Sequence, residues 1–160
     1  MKTLIVYYSL EGNTAYAAKL IAEGTGADLL CLNPVKAYPT GKIRKFIWGG
    51  KSAMMSETPA LQPYDFDGSA YDRIVFGFPV WASTIAPPLR TFIRSHDLKG
   101  KRIAAFACQT AAGADKAFVK LKGELGTESL EAELTLLDPK TKPNPENEQK
   151  IRAFCAKLNG

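Results

Sequence analysis

Imidazole and thiol chemistry have little to work with in this chain: its 160 residues include one histidine, His96, and three cysteines, Cys31, Cys108 and Cys155. The cysteines are far apart, odd in number and without CxxC spacing, which argues against a disulfide framework or a cysteine metal site. They read as reduced thiols of a cytoplasmic protein. His96 has no second histidine nearby and continues the helical pattern around Phe92, so it reads as a surface or helix-end residue and not as a catalyst. Long hydrophobic runs are missing as well. No stretch nears the ~20 apolar residues of a membrane helix, and the chain runs directly into a strand rather than a leader. With no internal repeat, low-complexity tract or linker, residues 1–160 read as one domain. Acidic excess is also lacking: the formal net charge is +5 and the pI about 9.1. The lysines and arginines are scattered and form no recognition-helix or zinc-finger pattern, so the charge gives nucleic acid little support.

What is present is a strand, a turn and a helix at the very start. Leu4-Ile5-Val6-Tyr7-Tyr8 is β-branched and aromatic, and too short and continuous for a surface helix, so it reads as a buried strand. Apolar residues Ala18, Ile21 and Ala22 then recur at helical spacing, which starts a helix near residue 13. Between them lies Ser9-Leu10-Glu11-Gly12-Asn13-Thr14. A helix start leaves backbone N–H groups unpaired at the positive end of its dipole, so such a turn can hold an anion. Gly12 permits close approach, and Ser9, Asn13 and Thr14 can hydrogen-bond phosphate oxygens. Taken alone, the turn reads first as an ordinary capped strand–helix junction, which many parallel-sheet proteins have.

Further strands are expected over 27–32, 73–78 and 102–108 and within 130–137, the last with the partial alternation of a sheet edge. Helices follow: one opened by Pro87-Pro88 with Leu89, Phe92 and Ile93 inward, one with Ala114, Ala117, Phe118 and Leu121 on one face, and a last one. In that last helix Asn144 caps, Pro145 opens, and Ile151, Phe154, Cys155 and Leu158 form the stripe. Residues 34–71 are too long for a plain loop, and a short helix broken at Gly49-Gly50 is expected between Ile43 and Met55. Strands alternating with helices give an α/β fold with a doubly wound parallel sheet covered on both faces.

In such folds ligands sit beyond the carboxyl ends of the strands, at the switch point. Three exit loops therefore matter: 9–14, 79–86 and 109–113. The second reads Pro79-Val80-Trp81-Ala82-Ser83-Thr84, and its tryptophan either folds back on the core or flanks a flat aromatic ligand. The third, entered from Cys108, reads Gln109-Thr110-Ala111-Ala112-Gly113 and could run backbone N–H groups along a ligand edge. A phosphate cradle, an aromatic wall and a small-residue loop together point to a phosphorylated planar cofactor.

These segments resemble the flavodoxins, along essentially the whole chain. Gly100-Lys101-Arg102-Ile103, leading to the third loop, shares this resemblance, and Trp48-Gly49-Gly50-Lys51 and Ala86-Pro87-Pro88 are similar to a bacterial flavodoxin-like subfamily. The resemblance implies a short-chain, five-stranded sheet of order 2-1-3-4-5 and non-covalent FMN. Its phosphate would lie in residues 9–14 and its isoalloxazine between the 79–84 and 109–113 loops. It further implies an electron carrier serving a redox partner protein or a small electron acceptor. Two features depart from the family. Flavodoxins are usually acidic, to dock basic partners, and this chain is basic. No glycine lies between Val80 and Ala86, where many relatives have one whose peptide flips when the flavin is reduced. A side chain at Ala82 or Ser83 resists a left-handed or flipped conformation by about 1 kcal/mol or somewhat more.

Three function classes follow. An FMN-dependent electron-transfer protein needs no acid–base residue, because the cofactor performs the redox step. A flavodoxin-fold NAD(P)H:quinone-type reductase would suit a basic surface. A flavin-free signalling domain is disfavoured in its receiver form, since the first strand ends in Tyr8-Ser9 and not in magnesium-binding acids.

Overall fold

The computed structural model describes residues 1–40 and 56–160. The helix expected between residues 43 and 55, and the idea that this segment shields the ligand site, lie outside the described residues. Five parallel strands form one sheet: β1 (Thr3–Tyr7), β2 (Asp28–Cys31), β3 (Arg73–Pro79), β4 (Arg102–Gln109) and β5 (Glu133–Leu137), in the order β2-β1-β3-β4-β5. The central strands β1 and β3 are buried along nearly their whole length, as their continuous apolar sequences require, whereas the edge strand β2 is mostly exposed. β5, at the other edge, alternates in burial along its length, with Leu134 and Leu136 inward and Glu133 and Leu137 outward, a cleaner alternation than its sequence led one to expect.

Helices α1 (Asn13–Thr25), α2 (Pro87–Ser95), α3 (Ala114–Leu125) and α4 (Pro145–Asn159) cover the two faces. Under one face Ala17, Ala18 and Ile21 of α1 join Ile151, Phe154, Cys155 and Leu158 of α4 against Ile5, Val75 and Phe106. Under the other, Leu89, Phe92 and Ile93 of α2 join Ala114, Ala117, Phe118 and Leu121 of α3 against Leu4, Phe76 and Ala105. Each buried Leu, Ile or Phe contributes about 1.5–3 kcal/mol, so the helix stripes hold this layering in place. No helix among the described residues is long and apolar enough to cross a membrane.

Two features away from the strand exits stiffen the frame. Glu131 is gripped by Arg73 and Arg102, and Glu124 by Arg90 and Arg94. Arg90 is only 2% exposed, so its pairing with Glu124 at 2.7 Å satisfies a charge that burial would otherwise make costly. His96 ends α2, with Nε2 2.7 Å from the Tyr64 hydroxyl and its ring against Phe66 and Phe92. Burial lowers its basicity.

The start of α4 fixes the loop after β5. Asn144 accepts the Asn147 N–H at 2.8 Å, and Asn147 spans the Leu137 backbone, accepting its N–H and donating to its carbonyl. The six residues between Leu137 and Asn144 therefore leave the sheet from a braced strand end.

Candidate functional site

The head of α1 accounts for its backbone donors in an informative way. Ser9 Oγ accepts the N–H groups of Gly12 and Ala15 at 3.2 and 3.1 Å, and the Tyr16 N–H returns to the Gly12 carbonyl. The amides of Asn13 and Thr14 make no hydrogen bond to the described residues. Gly12 itself sits at φ 96°, a left-handed conformation that costs an L side chain about 1–2 kcal/mol. Its turn leaves two uncommitted amides at the positive end of a helix with no acid in its first turn.

The polar side chains of this turn do less than their types suggest. Thr14 is 1% exposed and faces the buried Cys108 thiol. Burial pushes that thiol up to about 12, so Cys108 is protonated and structural at neutral pH. Asn13 Oδ1 accepts the N–H groups of Lys140 and Thr141 at 2.8 and 3.1 Å, while its amide nitrogen donates to Thr141 Oγ1. The Asn13 side chain thus holds another loop. Leu10 packs partly against the core and Glu11 is exposed beside the turn.

At the exit of β3, Trp81 and Thr84 exchange hydrogen bonds, N–H to carbonyl, at 3.3 and 3.0 Å. Ala82 and Ser83 between them have φ of 49° and 58°. Two left-handed central residues closed in this way make a type I′ turn, normally the province of Asn and Gly. The resistance expected from side chains at these positions is overcome by their surroundings. Trp81, Thr84 and Ile85 are buried on the core, and a Cβ on Gly113, itself at φ 111°, would come within 2.9 Å of Ser83 Oγ and 3.2 Å of Val80 Cγ1. The missing side chain at 113 is the space Ser83 occupies.

Trp81 takes the inward course. Its indole is 5% exposed and stands edge-on to Tyr8 and Tyr38, with ring centroids 5.6 and 5.2 Å away, so it presents no open face to a ligand. Its Nε1 and the Thr84 hydroxyl are buried and have no hydrogen-bond partner among the described residues. The exposed surface at this corner comes instead from Ala82, Thr110, Ala111 and Ala112, with Pro79, Val80, Ser83, Gln109 and Gly113 half-buried behind them. Gln109 Oε1 accepts the Ala114 N–H at 3.0 Å and so caps α3, while Thr110 donates to Asp138 at 3.1 Å.

A fourth exit loop, after β5, completes the corner and was not among the three expected. Asp138, at φ 41° and 7% exposed, takes the Thr110 hydroxyl and pairs with Lys142 at 3.4 Å. Lys140 lies across Gly12: its Nζ is 3.0 Å, and its Cδ 3.4 Å, from the point where a Cβ on that glycine would stand. The signal was available, because β5 also has a carboxyl end and Asp138-Pro139-Lys140-Thr141-Lys142 follows it directly. The four loops thus assemble a corner at the head of α1, with Lys140 across Gly12, beside a shelf of small residues. No group of acids, cysteines and histidine suited to a metal ion occurs among the described residues.

A family model described as Flavodoxin matches residues 2–142. Among solved structures, the chain is similar to a candidate flavoprotein of Bacteroides uniformis, 27% identical over 97% of each chain with a TM-score of 0.80. It is similar to a second, from Bacteroides eggerthii, 25% identical over 97% of this chain and 96% of that one, with a TM-score of 0.75. A flavoprotein of Lactobacillus acidophilus, solved in complex with FMN, shares the fold at 21% identity, covering 88% of this chain and 95% of the other, with a TM-score of 0.69.

Proposed function

The chain belongs to the flavodoxin family, and from that premise we propose that it is a cytoplasmic FMN-binding protein that passes electrons to a redox partner protein or small acceptor. The observation that carries FMN is the head of α1. Two free amides, a left-handed glycine and a nearby ammonium suit a terminal phosphate, which forms charge-assisted hydrogen bonds of about 1.5–3 kcal/mol each. Bound FMN supplies the redox chemistry, and the chain's own residues bind it, orient it and keep water from it. In this reading Ser9 to Thr14 hold the phosphate, with Ser9 and Thr14 shaping the turn from within. The loops Pro79 to Thr84 and Cys108 to Gly113, which touch at Gly113 and Ser83, would hold the ring system.

The I′ turn supports the electron-transfer part of the proposal. It places the peptide groups of Ala82 and Ser83 at the shelf in a strained, well-defined geometry, where backbone dipoles can tune a neighbouring ring's potential. The net charge of +5 supports a second reading, an NAD(P)H:quinone-type reductase, because anionic pyridine nucleotides favour a basic surface. Fluorescence quenching with FMN and riboflavin tests the cofactor assignment. FMN should bind at least about tenfold more tightly, and equal affinities would reject a phosphate site. Steady oxidation of NAD(P)H by the yellow holoprotein alone would transfer the function to the reductase.

A further inference from the structure

We propose that Lys140, delivered by the loop after β5, is the counterion of the ligand's phosphate at the head of α1; this rests on the FMN reading above. A phosphate monoester carries about −1.5 to −2 at pH 7, whereas a helix N-terminus supplies the equivalent of about +0.5. The side chains of the turn do not close that gap. Ser9 Oγ is occupied by two amides, Thr14 turns to Cys108, and Asn13 is spent on the Lys140–Thr141 backbone. Lys140 brings a full positive charge to the same corner.

Its placement is built from both ends of the chain. Asn13 grips the Lys140 and Thr141 amides from α1, and the Asn147 clamp on Leu137 braces the loop from α4. The exposed side chain then folds back across Gly12, where any side chain would meet its ammonium at 3.0 Å. The acid in the same loop does not compete: Asp138 is matched by Lys142 and the Thr110 hydroxyl. Lys140 makes no ion pair with the described residues. Glycine at 12 therefore serves two ends, the left-handed turn and the passage of the lysine. The class of ligand this selects is a terminal phosphomonoester over the uncharged parent compound.

The test uses the full-length chain and its Lys140→Gln and Lys140→Arg variants, titrated with FMN and with riboflavin at low and at raised salt. Lys140→Gln should weaken FMN binding by about tenfold or more at low salt and leave riboflavin unchanged. Lys140→Arg should retain most of the FMN affinity, and salt should weaken FMN binding less in Lys140→Gln than in the parent. If the parent prefers FMN to riboflavin but Lys140→Gln binds FMN as well as the parent, the counterion role is overturned and the phosphate site stands. Tighter FMN binding by Lys140→Gln would make the lysine a plug and overturn the proposal too. A parent that binds both flavins equally removes the phosphate site and the proposal with it.

Discussion

Replacing Ala82 or Ser83 with glycine should move the redox behaviour of bound FMN in opposite directions. In a type I′ turn both central residues are left-handed, as Ala82 and Ser83 are at φ 49° and 58°. Flipping the peptide between them gives a type II′ turn. The second residue then returns to negative φ, and the first enters a mirror-β region that glycine alone populates readily. A flip thus relieves Ser83 of about 1–2 kcal/mol and places a larger cost on Ala82. Residue types alone left Ala82 and Ser83 as alternative obstacles; the turn geometry places the cost of the flip on Ala82. If reduction is coupled to this flip, Ala82→Gly should raise the first one-electron potential of bound FMN by about 60 mV or more, since 59 mV corresponds to about 1.4 kcal/mol for one electron. Ser83→Gly removes the relief of about 1–2 kcal/mol and should lower that potential by about 40–90 mV. Anaerobic reductive titration followed by visible absorbance reads both values. Shifts of the same sign, or no shift in either variant, would refute the coupling of this turn to the flavin.

Trp81→Ala should cost the flavin-free protein about 3–5 kcal/mol, seen as a lower urea midpoint, because the indole fills the space between Tyr8 and Tyr38. Unchanged stability with weakened flavin binding would place the ring on the ligand. For Glu131, burial raises the carboxyl, but hydrogen bonds and charge from Arg73 and then Arg102 outweigh it and hold it below the usual carboxylate range. Its folded value is thus below its unfolded one, so its contribution is full above the unfolded value and lost as pH falls through the folded value. Urea titrations from neutral pH into the acid range should show Glu131→Gln less stable than the parent near neutrality, with that gap closing in acid.

The frame was legible because its signals are local. Val75 and Phe76 declare a buried strand by themselves, and the stripe Ala114, Ala117, Phe118 and Leu121 is the buried face that α3 shows. Pro145 behind Asn144 marks the start of α4 for the same reason. The corner was legible in position but not in detail. Nothing around Asn13 tells whether its amide faces a ligand or the chain, because its partners are 127 and 128 residues away. Trp81 presents the same difficulty: its fate depends on Tyr8 and Tyr38, which only the folded sheet brings beside it. The left-handed Ala82 and Ser83 went against intrinsic preference, and what overrides it is packing against Gly113 from the next loop.

The bond from Asn13 to Thr141 has a consequence for how the protein is made. Its two ends are 128 residues apart, and ribosomes add about 5–20 residues per second. The first half of the anion corner therefore leaves the peptidyl-transferase centre roughly 6–25 s before the second. During that interval β1 and the head of α1 exist without the loop that closes over them. β1 also waits for β3, its sheet partner from Thr3 opposite Arg73 onward. Nascent chains stalled before residue 140 lack the lysine altogether, so capture of a phosphorylated ligand at full strength belongs to the finished chain and not to synthesis.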